Sequence, residues 1–264
     1  MPVDPSNSDA PVVALKRVGK TFANGVVALE RLDLDVRPGE FVSLLGPSGC
    51  GKSTALRIIA GLSEPTSGAV VWPRADASRS EREIGFVFQE PTLMPWTTVA
   101  GNVRLPLDLQ RIEAAAPRVM AALARVGLTD FADVYPRELS GGMKMRVSIA
   151  RALVTESMLL LMDEPFAALD EITRFKLNDD LLSLWESLRK TVVFVTHSVF
   201  ESVYLSSRIV VMTPRPGRVF TEIRIDAPYP RDQRFRTSAE YGALCRQASE
   251  ALAAAGEAKP AARP

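Results

Sequence analysis

Gly46-Pro47-Ser48-Gly49-Cys50-Gly51-Lys52-Ser53-Thr54 decides how the rest of this chain is read. It follows the apolar run Phe41–Leu45, which has the length and composition of a buried strand, and it opens a helical stretch, Ser53–Ala60. A glycine-rich turn in that setting lets the backbone wrap with its N–H groups pointing inward, and the helix N-terminus adds a dipole that favours an anion. Lys52 brings a cation to the outer phosphates, and the Ser53 hydroxyl is a ligand for Mg²⁺. The nine residues Gly46, Pro47, Ser48, Gly49, Cys50, Gly51, Lys52, Ser53 and Thr54 therefore predict a phosphate cradle, with Cys50 a tolerated small residue.

Downstream, Leu159-Leu160-Leu161-Met162-Asp163-Glu164 is an apolar strand ending in two acids. Carboxylates at the C-terminal edge of a parallel sheet stand where such sheets bind ligands. Asp163 reads as the residue that holds Mg²⁺ through its water shell, and Glu164 as the base that orients and deprotonates the attacking water. Pro165 stops the strand from running on. Ala168-Leu169-Asp170 then forms a turn able to reach a neighbouring subunit.

Leu139-Ser140-Gly141-Gly142 precedes a helix predicted over Met143–Leu153, so Ser140, Gly141 and Gly142 form a second helix N-terminus with exposed donors. One chain already cradles its phosphates at Gly46–Ser53. A second cradle needs a nucleotide from elsewhere, and a two-fold head-to-tail pair of chains supplies one to each.

Leu139-Ser140-Gly141-Gly142 resembles the signature motif of the ATP-binding cassette (ABC) family, and the other family elements occur in family order. Phe22 matches the aromatic residue that stacks on adenine, Gln89 the Q-loop, Asp170 the D-loop and His197 the switch histidine. The resemblance covers about residues 12 to 225. It implies an α/β P-loop NTPase cassette with a mostly parallel central sheet, an antiparallel β part at the N-terminus and a helical subdomain over about residues 91–153. It further implies ATP and Mg²⁺ as cofactors, with Ser53, Gln89 and Asp163 toward the metal and Glu164, His197 and Lys52 as the catalytic residues. The implied partners are a second copy of the chain, an integral membrane permease and an extracytoplasmic solute-binding protein. Taken alone, Phe22 also reads as a core aromatic, Gln89 as a surface amide, Ser140 as an N-cap worth ~1 kcal/mol, and His197 as a structural histidine ending the strand Thr191–Thr196.

Met143 stands where the family usually has Gln, and Met143-Lys144-Met145-Arg146 replaces its usual Gln and Arg run. With Trp96 after the Q-loop and Arg215-Pro216-Gly217-Arg218 near the end, this is similar to the branch that imports nitrate, sulfonates, taurine and aminopyrimidine precursors. Ser198 replaces the commoner Asp after the switch histidine. An exporter ATPase, or a soluble ABC ATPase acting on ribosomes or DNA, is the alternative. Against the soluble type stand one cassette rather than two and no sustained heptads between Lys52 and Leu139. The stretch Gln89–Val99, with Met94, Pro95 and Trp96, reads either as a docking surface for the permease or as the core of the helical subdomain.

The bulk properties agree with a folded ATPase more than they select one. Lys and Arg number 32 against 31 Asp and Glu, for a net charge of +1, which gives no electrostatic reason for nucleic-acid binding. No apolar run approaches a membrane span and no secretory leader is visible, so the expected place is the cytoplasmic face of the membrane, held there by the permease. Cys50 and Cys245 read as free thiols. The expected organisation is a tail over residues 1–11, the cassette over 12–235, and a C-terminal helix with a flexible tail over 236–264, poorly ordered from 253. Further expected elements are a strand over Val12–Val18, another over Ile84–Phe88, an Ala-rich helix over Ile112–Val126 closed by Gly127, and an amphipathic segment over Phe175–Leu188.

Overall fold

The computed structural model describes residues 10–73 and 84–258. The chain divides into two compact units, one made of Met1–Glu81 and Arg189–Pro264 and the other of Arg82–Leu188. The expected N-terminal tail lies outside the described residues except for residues 10 and 11, and so does the chain after residue 258.

In the first unit, β1 (Val13–Thr21) pairs antiparallel with β2 (Val27–Val36) and with β4 (Ser67–Val71), giving the strand order β2-β1-β4. β1 runs three residues past the expected Val18 because Lys20 and Thr21 keep partners in β2 across irregular register. β3 (Phe41–Leu45) is buried along its whole length and lies between two parallel neighbours, β7 (Thr191–Thr196) and β8 (Arg208–Met212). Apolar runs without alternation are what a strand covered on both faces requires. β9 (Val219–Arg224) closes this side antiparallel to β8. The helices of this unit are α1 (Lys52–Ile59), α6 (Val199–Leu205), α7 (Gln233–Arg236) and α8 (Ala239–Glu257). Residues 253–257, expected among a poorly ordered end, are instead the last turn of α8: alanine is the strongest helix former, and Ala255 is buried.

The second unit holds the parallel pair β5 (Ile84–Val87) and β6 (Leu159–Asp163) with four helices, α2 (Val99–Leu109), α3 (Ala115–Arg125), α4 (Gly141–Leu153) and α5 (Glu171–Leu188). Gly127 closes α3 as expected. Its φ is 67°, its N–H donates to Ala124, and the Leu128 N–H reaches back to Leu123 at 2.9 Å. α5 begins four residues before the expected Phe175 because the Asp170 carboxylate caps it, accepting from the Thr173 N–H at 2.9 Å. Residues 91–98, expected to be helical, precede α2 without forming a helix, since Thr92 has a φ of 47° and Thr98 caps α2 only afterwards.

Candidate functional site

The cradle is built on β3 and α1. The helix starts at Lys52, one residue before the expected Ser53, with Gly51 as its N-cap at a φ of 107°. A Cβ there would lie 2.7 Å from a Leu29 methyl and 2.8 Å from the Ala28 carbonyl, so strand β2 as well as the backbone angle demands glycine. Gly49 also has a positive φ, 74°. Lys52 is buried, and its ammonium donates to the carbonyls of Gly46 at 2.7 Å and Pro47 at 3.1 Å, which holds it folded over the turn. Cys50 and Cys245 are both buried, and no disulfide joins them.

Arg215-Pro216-Gly217-Arg218 packs onto this loop. Arg215 Nε donates to the Gly49 carbonyl at 3.1 Å, and a Cβ on Gly217 would fall 2.0 Å from the Cys50 carbonyl. The Gly217 N–H bonds to Ala28 and its carbonyl accepts from Glu30, while Arg218 pairs with Glu30 at 2.7 Å. The sequence marked this tetrapeptide only as a branch feature. Its place against the phosphate loop depends on the β8–β9 connection, which no local pattern announces.

His197 follows β7 directly. Thr196 is the register partner of Leu45, the last residue before Gly46, so the histidine and the phosphate loop leave adjacent strands at one level. The ring is exposed. Phe22, at the end of β1, is 44% exposed with Lys20 Nζ 5.6 Å from its ring centroid, so it is not the core aromatic of the alternative reading.

The second unit carries the remaining residues. Val87 pairs with Met162, so Gln89 and Glu164 each lie two residues beyond matched positions of β5 and β6. Gln89 is exposed, Asp163 buried and Glu164 half-buried. Glu164 has a φ of 45°, a left-handed conformation that costs a non-glycine residue on the order of 1–3 kcal/mol and clusters at functional positions. Asp170 is held below the usual carboxylate range by the Thr173 side chain and backbone.

Ser140 caps α4, its hydroxyl accepting from the Met143 N–H at 3.3 Å, and the helix starts at Gly141 rather than at the expected Met143. Gly142 is needed because a Cβ would lie 2.8 Å from the Thr173 methyl of α5. Met145, one of the departures from the usual run, is a core residue. Arg146 ties α4 to the carbonyl of Val126 at 3.1 Å and to Asp180 of α5.

Residues that sequence reasoning passed over hold the segment after Gln89. Arg151, on α4, donates to the carbonyls of Pro91 and Thr92 and to the Thr92 hydroxyl, each at 2.9 Å. The buried Asn102 amide accepts from the Met94 N–H at 2.7 Å and donates to the carbonyls of Met94, Thr97 and Thr98. Trp96, between these anchors, is 75% exposed, which excludes it from the core of the unit. Nothing in the spacing marks Arg151; a buried polar residue such as Asn102 becomes legible only once its partners are known.

The residues present fit the nucleotide and metal that the cradle implies. In the first unit Ser53 is half-buried in the first turn of α1; in the second Asp163 is buried at a strand end and Gln89 offers an amide oxygen; each by itself is a hard oxygen donor of the kind Mg²⁺ takes. Among the described residues no group of three or more His, Cys, Asp and Glu could hold a metal ion. No helix among them is long and apolar enough to cross a membrane.

A glycine-rich loop between a parallel strand and a helix, with Lys52 and Ser53 at the helix start, defines a P-loop nucleotide-binding protein. The ABC transporter family model matches residues 29–167, and the chain belongs to that family as an ATP-hydrolysing subunit. It is similar to an ABC transporter ATP-binding protein of Methanocaldococcus jannaschii, 48% identical over 86% of this chain and 85% of that one. It is also similar to the aliphatic sulfonates import ATP-binding protein SsuB 1 of Xanthomonas axonopodis, 45% identical over 90% of this chain and 93% of that one. Among solved structures, it resembles the dimeric post-hydrolysis form of the cassette MJ0796 bound to ADP and Pi, with a TM-score of 0.71 and 38% identity over 82% of this chain and all of that one. The cbiO1 subunit of the Clostridium perfringens transporter complex cbiONQ gives a TM-score of 0.74 at 28% identity, covering 82% of this chain and 90% of that one.

Proposed function

We propose that this chain energises uptake of a small solute of the nitrate, sulfonate or taurine kind, or a related compound, through a separate membrane permease, working as a head-to-tail pair. The observation that carries the pairing is the presence in one chain of two helix N-termini built to hold an anion, at Gly51–Lys52 of α1 and at Ser140–Gly141 of α4. In the pair, Gly46–Thr54 of one copy and Ser140, Gly141 and Gly142 of the other enclose one nucleotide. The dimeric form of MJ0796 and the sulfonate-import names of the relatives support this reading.

Each residue has a role. Phe22 stacks on the adenine, and the inward backbone N–H groups of the loop bind the phosphates with Lys52. Glu164 accepts a proton from the attacking water, and His197 donates a hydrogen bond to the γ-phosphate, a contact that strengthens as charge develops there. Ser53, Asp163 and Gln89 hold Mg²⁺, which supplies charge neutralisation across the phosphates when bound. Asp170 faces the second copy. Trp96, with Met94 and Pro95, docks on a cytoplasmic segment of the permease and fixes the subunit to the cytoplasmic face of the membrane, while a solute-binding protein delivers cargo outside.

Uptake by the native complex tests the reading. The complex, purified through this chain and sealed into vesicles with ATP on the cytoplasmic side of the permease, is expected to move radiolabelled taurine, alkanesulfonate or nitrate toward that ATP compartment. Movement away from the ATP compartment would mark an exporter, and a complex without any membrane partner would mark a soluble ATPase.

A further inference from the structure

We propose that Glu201 is the positioning residue of His197, acting through the hydroxyl of Thr196; the inference rests on the reading of His197 as the γ-phosphate contact. Ser198-Val199-Phe200-Glu201 has the spacing of a capping box, in which a serine caps the third helical N–H and the acid returns to the serine N–H. Half of this occurs. Ser198 Oγ accepts from the Glu201 N–H at 3.3 Å. The return path is different: Glu201 Oε2 accepts from the Thr196 hydroxyl at 2.5 Å, and Thr196 Oγ1 accepts from the Ser198 N–H at 3.0 Å. A hydroxyl has been inserted into the box, and the residue that supplies it, Thr196, and the residue whose N–H it accepts from, Ser198, stand on either side of His197.

The placement is costly enough to need a reason. Glu201 is only 7% exposed and Thr196 2%, so the carboxylate gives up most of its water. What it gains is a fixed geometry for the two-residue link, His197 and Ser198, between β7 and α6. β7 is pinned by its parallel register with β3, from Phe41–Val192 through Leu45–Thr196. The far end of α6 is pinned as well: the buried Arg231 guanidinium donates to the carbonyls of Val203, Tyr204 and Ser206 at 2.9 to 3.0 Å. Between two fixed ends, the Glu201–Thr196–Ser198 relay sets the backbone from which the exposed His197 ring projects. It also accounts for Ser198 in place of the commoner Asp, since the buried carboxylate enters from Glu201 and position 198 needs only a capping hydroxyl.

The test is a kinetic cycle on the ATPase with Glu201→Ala, Glu201→Gln, His197→Ala and the double variant Glu201→Ala/His197→Ala. Glu201→Ala is expected to lower kcat at least about tenfold with KM for ATP within about twofold, the pattern of a loss felt in the transition state. Glu201→Gln keeps an acceptor for the Thr196 hydroxyl and is expected to restore most of the rate. On the His197→Ala background, Glu201→Ala is expected to cost almost nothing more, because what it positions is gone. Full additivity in the double variant, or a rise in KM matching the fall in kcat, would overturn the proposal and leave Glu201 a fold residue. Wild-type turnover by His197→Ala would overturn the premise instead. If Glu201→Ala does not fold, Thr196→Val, which removes the relay at nearly constant shape, carries the same expectations, with Thr196→Ser as the rescue.

Discussion

Leu45 and Thr196 are register partners in the parallel strands β3 and β7, so Gly46 and His197 leave the sheet side by side. The loop proposed to bind phosphate and the residue proposed to sense its last group are thereby mounted on one rigid frame, which favours a contact that depends on small displacements.

His197 is the sole histidine of the chain, so its ring gives one magnetic-resonance signal with no assignment problem. A non-hydrolysable ATP analogue with Mg²⁺ is expected to shift that signal, since the ring would then donate a hydrogen bond to the γ-phosphate. ADP is expected to do much less. Equal responses to both would mark a structural histidine.

Gly217→Ala should weaken nucleotide binding although residue 217 lies far along the chain from the phosphate loop. Its new methyl would meet the Cys50 carbonyl at 2.0 Å, and overpacking against backbone costs about 1–3 kcal/mol. Loss of ATP affinity by about tenfold or more, read by fluorescence titration with the fold intact by circular dichroism, is the expected outcome. Unchanged affinity would show that the Arg215–Arg218 segment does not support the loop.

How much of this was legible in the sequence depends on range. The phosphate loop, the acids at the end of β6 and the capping serine at α4 are local patterns, and the helices α1 and α4 begin within one or two residues of their expected starts. The start of α5 was missed by four residues because the cap at Asp170 was read only as part of a turn. The contacts of Arg151 with Pro91 and Thr92, and of Gly217 with Cys50, join residues distant in sequence, and hydrophobic periodicity carries no information about them.

Trp96→Ala should impair transport by the assembled complex while sparing the ATPase activity of the free subunit, because the ring is 75% exposed. Arg151→Ala, which frees Pro91 and Thr92 from α4, should produce the same split in weaker form. Parallel loss of both activities would place the segment in the fold and remove it from coupling.

The cap of α5 should weaken in acid. Asp170 is held below its ordinary carboxylate range by Thr173, so its support is present above that range and is lost as pH falls through the lowered value. Asp170→Asn keeps a capping oxygen without the titration. Protection of the Thr173 and Arg174 amides, taken relative to their intrinsic exchange rate at each pH, should therefore fall in acid for the native chain and stay flat for the variant; identical profiles would remove Asp170 from the cap.

The most direct test of the composite site is the size of Glu164→Gln in solution with ATP and Mg²⁺, measured by light scattering. The amide keeps the shape of the proposed base but cannot take the proton, so turnover should fall by at least ~10²-fold while nucleotide stays bound. A stable dimer that forms with ATP, dissociates with ADP and fails to form when Ser140→Arg is added is the predicted result. A protein that remains monomeric with bound ATP, or a dimer indifferent to Ser140→Arg, would contradict the account.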